Sequence, residues 1–297
     1  MLMDYIISGA QRGFIYALVA LGIVLIYRTS RILNFAHGDI STFGAFIFYT
    51  VSIYTSQWNP YYSFLIGIFS GMLASAVIGT VFYFGVLHPS QERQVNILGQ
   101  IVLTIGFGLF IQGFELLIWG AQTKTVNFPF SDWKLYNIFG FKISQMGIVI
   151  IGSCLLIMLI LYILIQRTRF GLSIRAVSQN LEMAKVLSIP TKLVLSLGWG
   201  CASAFGSFAG ILLIPSVFLD PYFMLDPFLK GFAAAVLGGL DSPPGAIIGG
   251  LVIGITENLF GGYVSLKFKG SFAFFIIMLV LIVRPEGLLG KEVKERA

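Results

Sequence analysis

Asn34-Phe35-Ala36-His37-Gly38-Asp39 sets an amide, an imidazole and a carboxylate at the head of a long apolar run. Ionisable groups are costly inside a bilayer and tend to mark a solute path, a proton relay or a counter-ion. Two readings stay open. These residues either touch the solute, or they lie at the cytoplasmic interface, where His37 and Asp39 cap a helix and hold a break at Gly38. Glu115 and Glu257 are also embedded, toward the outer ends of their runs. The commoner role for such an acid is a buried hydrogen bond between helices, and a proton relay needs more of these groups in series.

Other chemistry is absent. The chain has two histidines, His37 and His88, and no GxxxxGK[ST], HExxH, CxxC or GxSxG pattern. Neither a P-loop nor a zinc-hydrolase or serine-hydrolase site can be built from it. The expectation is no enzyme, no metal site and no resident cofactor. If transport is driven by ATP, another subunit supplies the energy. Cys154 and Cys201 lie within apolar runs and read as small buried hydrophobes.

The segment GFAAAVLGGLDSPPGAIIGGLVIG (231–254) is dense in small residues. Gly238-Gly239 followed by Pro243-Pro244-Gly245 forces a break between two short apolar pieces. Gly/Pro-interrupted segments point to a transport path, and non-helical backbone at that depth must be sheltered by protein or water. The candidate path residues are therefore Asn34, His37, Gly38, Asp39, Gly238, Gly239, Pro243, Gly245 and Glu257. Gly67 with Gly71, Gly206 with Gly210, Gly245 with Gly249, and Gly250 with Gly254 each make the GxxxG spacing that lets helix backbones approach in lipid.

RTRFGLSIRAVSQNLEMAKVLSI (167–189) is the one long polar and basic stretch. Ile174, Val177, Leu181 and Ala184 recur at helical spacing. Asn180 is a good N-cap, with Glu182 in the first turn where the helix dipole favours a carboxylate. Lys185 follows Glu182 at i+3, and Pro190 ends the segment. This predicts one or two short helices lying across a membrane face, as a docking surface for a soluble partner or as an interfacial helix against lipid headgroups.

These features need a frame that holds them in lipid. Of 297 residues, 57% are hydrophobic and 11% charged, against about 25% charged in soluble domains. Runs of the roughly 20 apolar residues that a span requires recur throughout. The chain is read as all-α, a polytopic membrane protein of eight or nine segments, in one domain over 1–297 with the loop 166–192 inside it. Spans are expected near 5–27, 33–56, 61–87, 97–119, 146–165, 193–214, 227–241, 245–262 and 271–289. The seventh is too short to cross alone, and the segment starting near Asn34 could likewise be broken or re-entrant. The N-terminus lacks the pattern of a cleaved signal peptide. Arg12 interrupts the first run, and either snorkels or marks an interfacial stretch over 2–12.

Arg28, Arg31, Arg93, Arg167, Arg169, Arg175, Lys185, Lys192, Arg284, Lys291, Lys294 and Arg296 fall on one side of this arrangement. Lys124, Lys134, Lys142, Lys230, Lys267 and Lys269 fall on the other. The positive-inside rule puts the first set, and the C-terminus, in the cytoplasm. The 120–145 loop, with Trp133 and Tyr136, is then the largest external one.

The pieces YALVALGIVLIYRTSRILNFAHGDISTFGAF (16–46), ILGQIVLTIGFGLFIQG (97–113), RTRFGLSIRAVSQNLEMAKVLSI (167–189), GFAAAVLGGLDSPPGAIIGGLVIGITE (231–257) and RPEGLLG (284–290) occur in this order. Together they resemble the permease subunits of branched-chain amino acid ABC importers, most closely the shorter of the two paired permeases. The resemblance runs over nearly the whole chain.

It implies an import permease of the prokaryotic inner membrane with no catalytic activity. The implied partners are a second permease that is a related but different chain, two cytoplasmic ATPases carrying the ATP and magnesium, and an external substrate-binding protein. No nucleic acid is implied. The 167–189 segment would be the element that couples to an ATPase, and Gly171, Arg175, Ala176, Glu182 and Ala184 match the family's loop pattern. The chain departs from that pattern at Leu181, where proline is frequent, and at Ser188, where glycine is usual. The expected cargo is a branched-chain or other neutral aliphatic amino acid. Urea or a short amide is the alternative, and an ion-coupled secondary transporter the remaining one.

Overall fold

A computed structural model describes residues 2–131, 133–138, 141–284 and 286–290. Lys291, Lys294 and Arg296 of the basic set lie outside the described residues. In chain order the elements are α1 (Leu2–Ser30), α2 (His37–Tyr54), α3 (Pro60–Phe82), a π-helical turn (Tyr83–Leu87), α4 (His88–Glu92) and α5 (Ile97–Trp119). A short antiparallel hairpin follows, β1 (Leu135–Ile138) and β2 (Phe141–Ser144). Then come α6 (Gln145–Arg167), α7 (Arg169–Gln179), α8 (Leu181–Val186), α9 (Thr191–Leu213), α10 (Leu225–Gly238), α11 (Pro243–Tyr263) and α12 (Lys269–Val283).

Among the described residues six helices are long and apolar enough to span a membrane: α1, α3 continued through α4, α5, α6, α9 and α11. The segments expected near 33–56, 227–241 and 271–289 form the shorter helices α2, α10 and α12. The 14 residues of α10 measure about 21 Å, short of a hydrocarbon core of roughly 30 Å. α12 stops at Val283 and Arg284 is extended (φ −142°, ψ 90°), the conformation that a following proline imposes on the residue before it.

Local sequence sets the helix starts. Asn59 accepts from the Tyr61 amide at 3.0 Å, with Pro60 in the first turn, and Asn96 accepts from the Gly99 amide at 2.7 Å. Ser242 accepts from the Gly245 amide at 3.1 Å, ahead of Pro243. The π turn at Tyr83–Leu87 precedes Pro89. A proline ring clashes with the carbonyl four residues back in a regular helix, and the wider turn accommodates it. α1 continues unbroken past Arg12, which is exposed.

The helices group into two compact units. One comprises 1–24, 130–154 and 226–297, the other 25–129 and 155–225. In the first, α1 and α11 cross at glycine. A Cβ on Gly13 would meet Leu251, one on Gly250 would meet Ala17, and one on Gly254 would meet Gly13 itself. In the second, α2, α3 and α9 interlock through small residues. Gly44 faces Ser207 and Ser75, Gly79 faces Ser203, and Gly206 faces Ser41 and His37. The GxxxG glycines are thus close contact points, against backbone at Gly71, Gly245, Gly249, Gly250 and Gly254 and against side chains at Gly67 and Gly206, and large side chains such as Leu65, Phe69, Leu73 and Val77 of α3 point outward. Such an apolar exterior suits lipid as solvent. Cys154 is buried and Cys201 half-buried, both as free thiols.

Candidate functional site

In the second unit α5 turns its apolar residues out and its polar ones in. Leu98, Val102, Leu109, Phe110 and Leu117 are exposed. Its buried stripe is Gln100, Thr104, Gly108, Ile111 and Glu115. This stripe faces α2, which runs beside it in the same direction. The Phe35 amide donates to Thr104 Oγ1 at 3.2 Å, and Trp119 Nε1 donates to Thr50 Oγ1 at 2.9 Å. Between these points Asp39 lays its carboxylate against Gly108, in the space a Cβ there would occupy.

α2 therefore begins near the middle of α5. The chain ahead of it, Arg31–Ala36, is irregular, and Asn34 and Ala36 are buried. Asn34 Oδ1 accepts from the Ala36 amide at 3.1 Å, a local turn that competes with helix. The break is thus at Arg31–Ala36 and not at Gly38, which lies inside α2 and buried. His37 opens the helix, wholly buried, and Asp39 stands in its first turn, half-buried. This end of α2 is level with Gly108, about midway along α5.

Glu115 lies farther along the same stripe at 0% exposure. Neither of its oxygens has a hydrogen-bond partner among the described residues, and it stands within electrostatic range of Asp39. Hydrogen bonding between helices, the role expected of it, is not seen. Where α2 and α3 join, a cavity of about 410 Å³ is lined by Phe48, Tyr49, Trp58 and Phe64 with the hydroxyls of Ser52 and Ser63. No charged side chain lines it.

The first unit treats its embedded acid differently. Glu257, 2% exposed, accepts from Lys230 Nζ at 2.8 Å. Lys230 is 5% exposed and also reaches Asp226 at 2.7 Å, one turn back on α10. The cation lies 5.6 Å from the centre of the Tyr16 ring. Lys230, counted above with the cations of the external side, is therefore an interior residue of α10, drawn in by two carboxylates. Nearby, Lys269 Nζ donates to Asn258 Oδ1 at 2.8 Å, and Asn258 Nδ2 donates to the Tyr5 carbonyl at 2.8 Å and to Ser8 Oγ at 2.7 Å. Polar bonds thus tie α1, α11 and α12.

The Gly/Pro element is a tight hairpin between α10 and α11. Gly238 and Gly245 approach so closely that a Cβ on either would overlap the other's backbone. Gly239 turns the chain at φ 101°, a conformation that glycine adopts freely. Pro243 stands in the first turn of α11, where it has no amide hydrogen to leave unpaired. The Leu288 and Leu289 amides then donate to the carbonyls of Leu237 and Gly238 at 2.8 and 3.1 Å, sealing the end of α10 with the RPEGLLG segment.

The basic segment folds as two short helices. Thr168 caps α7 by accepting from the Gly171 amide, and Asn180 caps α8 by accepting from the Met183 amide at 3.0 Å. Glu182 pairs with Lys185 at 2.9 Å. Ile174, Val177 and Ala184 are buried, as their spacing predicts, whereas Leu181 is exposed. Gly171 lies against the carbonyls of Leu164 and Ile165, where no Cβ fits. Arg175 bonds the Ile165 carbonyl and Gln166 Oε1. Its guanidinium thereby serves the C-terminal end of α6, where a cation meets the helix dipole. Ala176 is half-buried, and Glu182 projects outward.

Leu172, Met183, Val186 and Leu187 are also exposed here, an outward apolar set that the sequence reading missed. Its only signal in the sequence was apolar residues left over once the buried stripe had been assigned. Ser188 adopts φ 58°, the left-handed conformation that a glycine would take without strain.

Comparisons with known proteins agree on one family. Residues 5–283 match the family model described as branched-chain amino acid transport system, permease component. The chain is 30% identical to the high-affinity branched-chain amino acid transport system permease protein LivH of Salmonella typhimurium, over 99% of this chain and 97% of that one. It is 28% identical to the BraD permease protein of Pseudomonas aeruginosa, likewise over 99% and 97%. A probable LivH of Methanocaldococcus jannaschii is 28% identical, over 94% and 89%. No solved structure matches the chain.

Proposed function

Because this chain belongs to the branched-chain amino acid transport permease family, we propose that it carries branched-chain or other neutral aliphatic amino acids into the cytoplasm as the membrane subunit of an ATP-driven importer. The observation that carries this is the family match over residues 5–283. The relatives above are named for branched-chain amino acid transport along almost their whole length, which favours these cargoes over urea or a short amide.

In this reading a second permease completes the membrane part. Two ATPases with ATP and magnesium bind the face that carries α7 and α8, and a substrate-binding protein delivers the amino acid from outside. The apolar residues Leu172, Met183, Val186 and Leu187 make the ATPase contact. Arg175 and Gly171 shape the loop by holding it to the end of α6. The C-terminus is cytoplasmic.

Purification of the tagged chain from native membranes, with bound proteins identified by mass spectrometry, tests this. Recovery of a P-loop ATPase and a second permease is expected, and leucine uptake by the reconstituted assembly should require ATP. Recovery of the chain alone after cross-linking, with uptake that follows an ion gradient, would sink the reading. Replacing Val186 and Leu187 with aspartate should remove the ATPase from the purified assembly while leaving the second permease bound.

A further inference from the structure

We propose that Glu115, on the buried stripe of α5 where Asp39 packs about two turns away, receives the ammonium group of the amino acid during passage; this rests on the transport reading above and names the residue that meets the cargo's positive end. A neutral aliphatic amino acid is a zwitterion, and its ammonium must shed water on the way through. A path for it needs a hydrogen-bond acceptor, placed where no protein cation competes. Glu115 meets that requirement. It is 0% exposed, both oxygens lack a hydrogen-bond partner among the described residues, and it takes part in no ion pair there.

The surroundings are built to keep these acids in place. α5 presents Leu98, Val102, Leu109 and Leu117 outward, so a leucine at 115 would have met no chemical objection. Instead a carboxyl group stands on the inward stripe. Gly108 leaves room for the carboxylate of Asp39, which a Cβ would displace. The two acids are within electrostatic range of each other, and an ammonium group at Glu115 supplies the donors that its oxygens lack among the described residues. Glu257 is unsuited to the task, since Lys230 already occupies one of its oxygens.

The experiment uses the whole assembly in proteoliposomes with its binding protein, reading leucine uptake and ATP hydrolysis together. E115Q should lower uptake by at least about tenfold, the order expected for a lost charge-assisted hydrogen bond. Hydrolysis stimulated by the loaded binding protein should stay within about twofold of the unaltered assembly. E115D should recover part of the uptake and E115L none. Unaltered uptake by E115Q or E115L overturns the proposal. Parallel loss of uptake and hydrolysis in E115Q, E115D and E115L also overturns it, because that marks a packing role. Should E115Q fail to assemble, D39N is read in the same two assays, and unaltered uptake there overturns the proposal. If the unaltered assembly takes up no amino acid, it is the transport reading that fails.

Discussion

Glu257 and Glu115 are both carboxyl groups within apolar helices, and the protein treats them in opposite ways. Glu257 is matched by Lys230, which a second carboxylate, Asp226, and the Tyr16 ring help to hold. Glu115 has Asp39 within electrostatic range and no hydrogen-bond donor among the described residues. Asp226 is 65% exposed and adds little, so Glu257 is the partner that holds Lys230 in the interior. The difference separates two uses of buried charge. One acid fixes how α10 and α11 pack, and the other is left open for a visitor.

Substitutions should separate the two by sign. The largest effect is expected at the pair. Glu257→Leu leaves the Lys230 ammonium buried without its interior partner and should destabilise the purified assembly by about 3–5 kcal/mol. Adding Lys230→Met should restore most of that loss in the same thermal unfolding measurement. If the double variant is no more stable than the single one, the pair is not the unit that holds α10 to α11.

Glu115→Leu should move stability the other way, since it removes two unsatisfied buried oxygens, a gain of about 1–3 kcal/mol. A fall in stability would mean that Glu115 has a partner in the working assembly and would erase the contrast. Gain of stability with loss of uptake is the usual trade at a functional site.

Gly108→Ala is the finer probe. Its methyl would push Asp39 off α5 and cost about 1–3 kcal/mol, as overpacking does. Gly113→Ala, on the same helix with nothing within 4 Å of its Cβ position, should be neutral or stabilising by up to about 1 kcal/mol. Equal effects at both positions would show that helix propensity, and not the seat of Asp39, governs α5.

The smallest effect is expected in the basic segment. Ser188→Gly should stabilise by about 1 kcal/mol or less, as relief of a left-handed backbone is partly offset by glycine's greater freedom in the unfolded chain. Because it touches neither acid, it calibrates the assay for the other three.

Much of the frame was legible because lipid imposes one rule on sequence. Long apolar runs must be helices, and α5 occupies the residues expected for it, 97–119. The caps of α8 and its Glu182–Lys185 pair could also be read, since both are local. What was not legible depended on distant partners. Lys230 was counted with the external cations because Glu257, 27 residues on, meets it only after α10 and α11 form their hairpin. Arg175 looked like a docking residue because nothing in its own segment shows that it bonds the end of α6. The polar stripe of α5 is periodic in the sequence, yet periodicity alone does not tell which face a membrane helix turns inward when its outer face is the apolar one. The turn that Asn34 makes ahead of α2 is visible locally, but where it packs is set by Thr104 and Gly108 of another helix.

The seal on α10 bears on how the chain is made. The carbonyls of Leu237 and Gly238 are closed by amides of Leu288 and Leu289. A ribosome that has delivered α10, α11 and α12 has therefore still not supplied the groups that finish α10. The first unit reaches its final hydrogen bonding only after Leu289 has been added, and a chain terminated at Val283 leaves two interior carbonyls open for cellular quality control to detect.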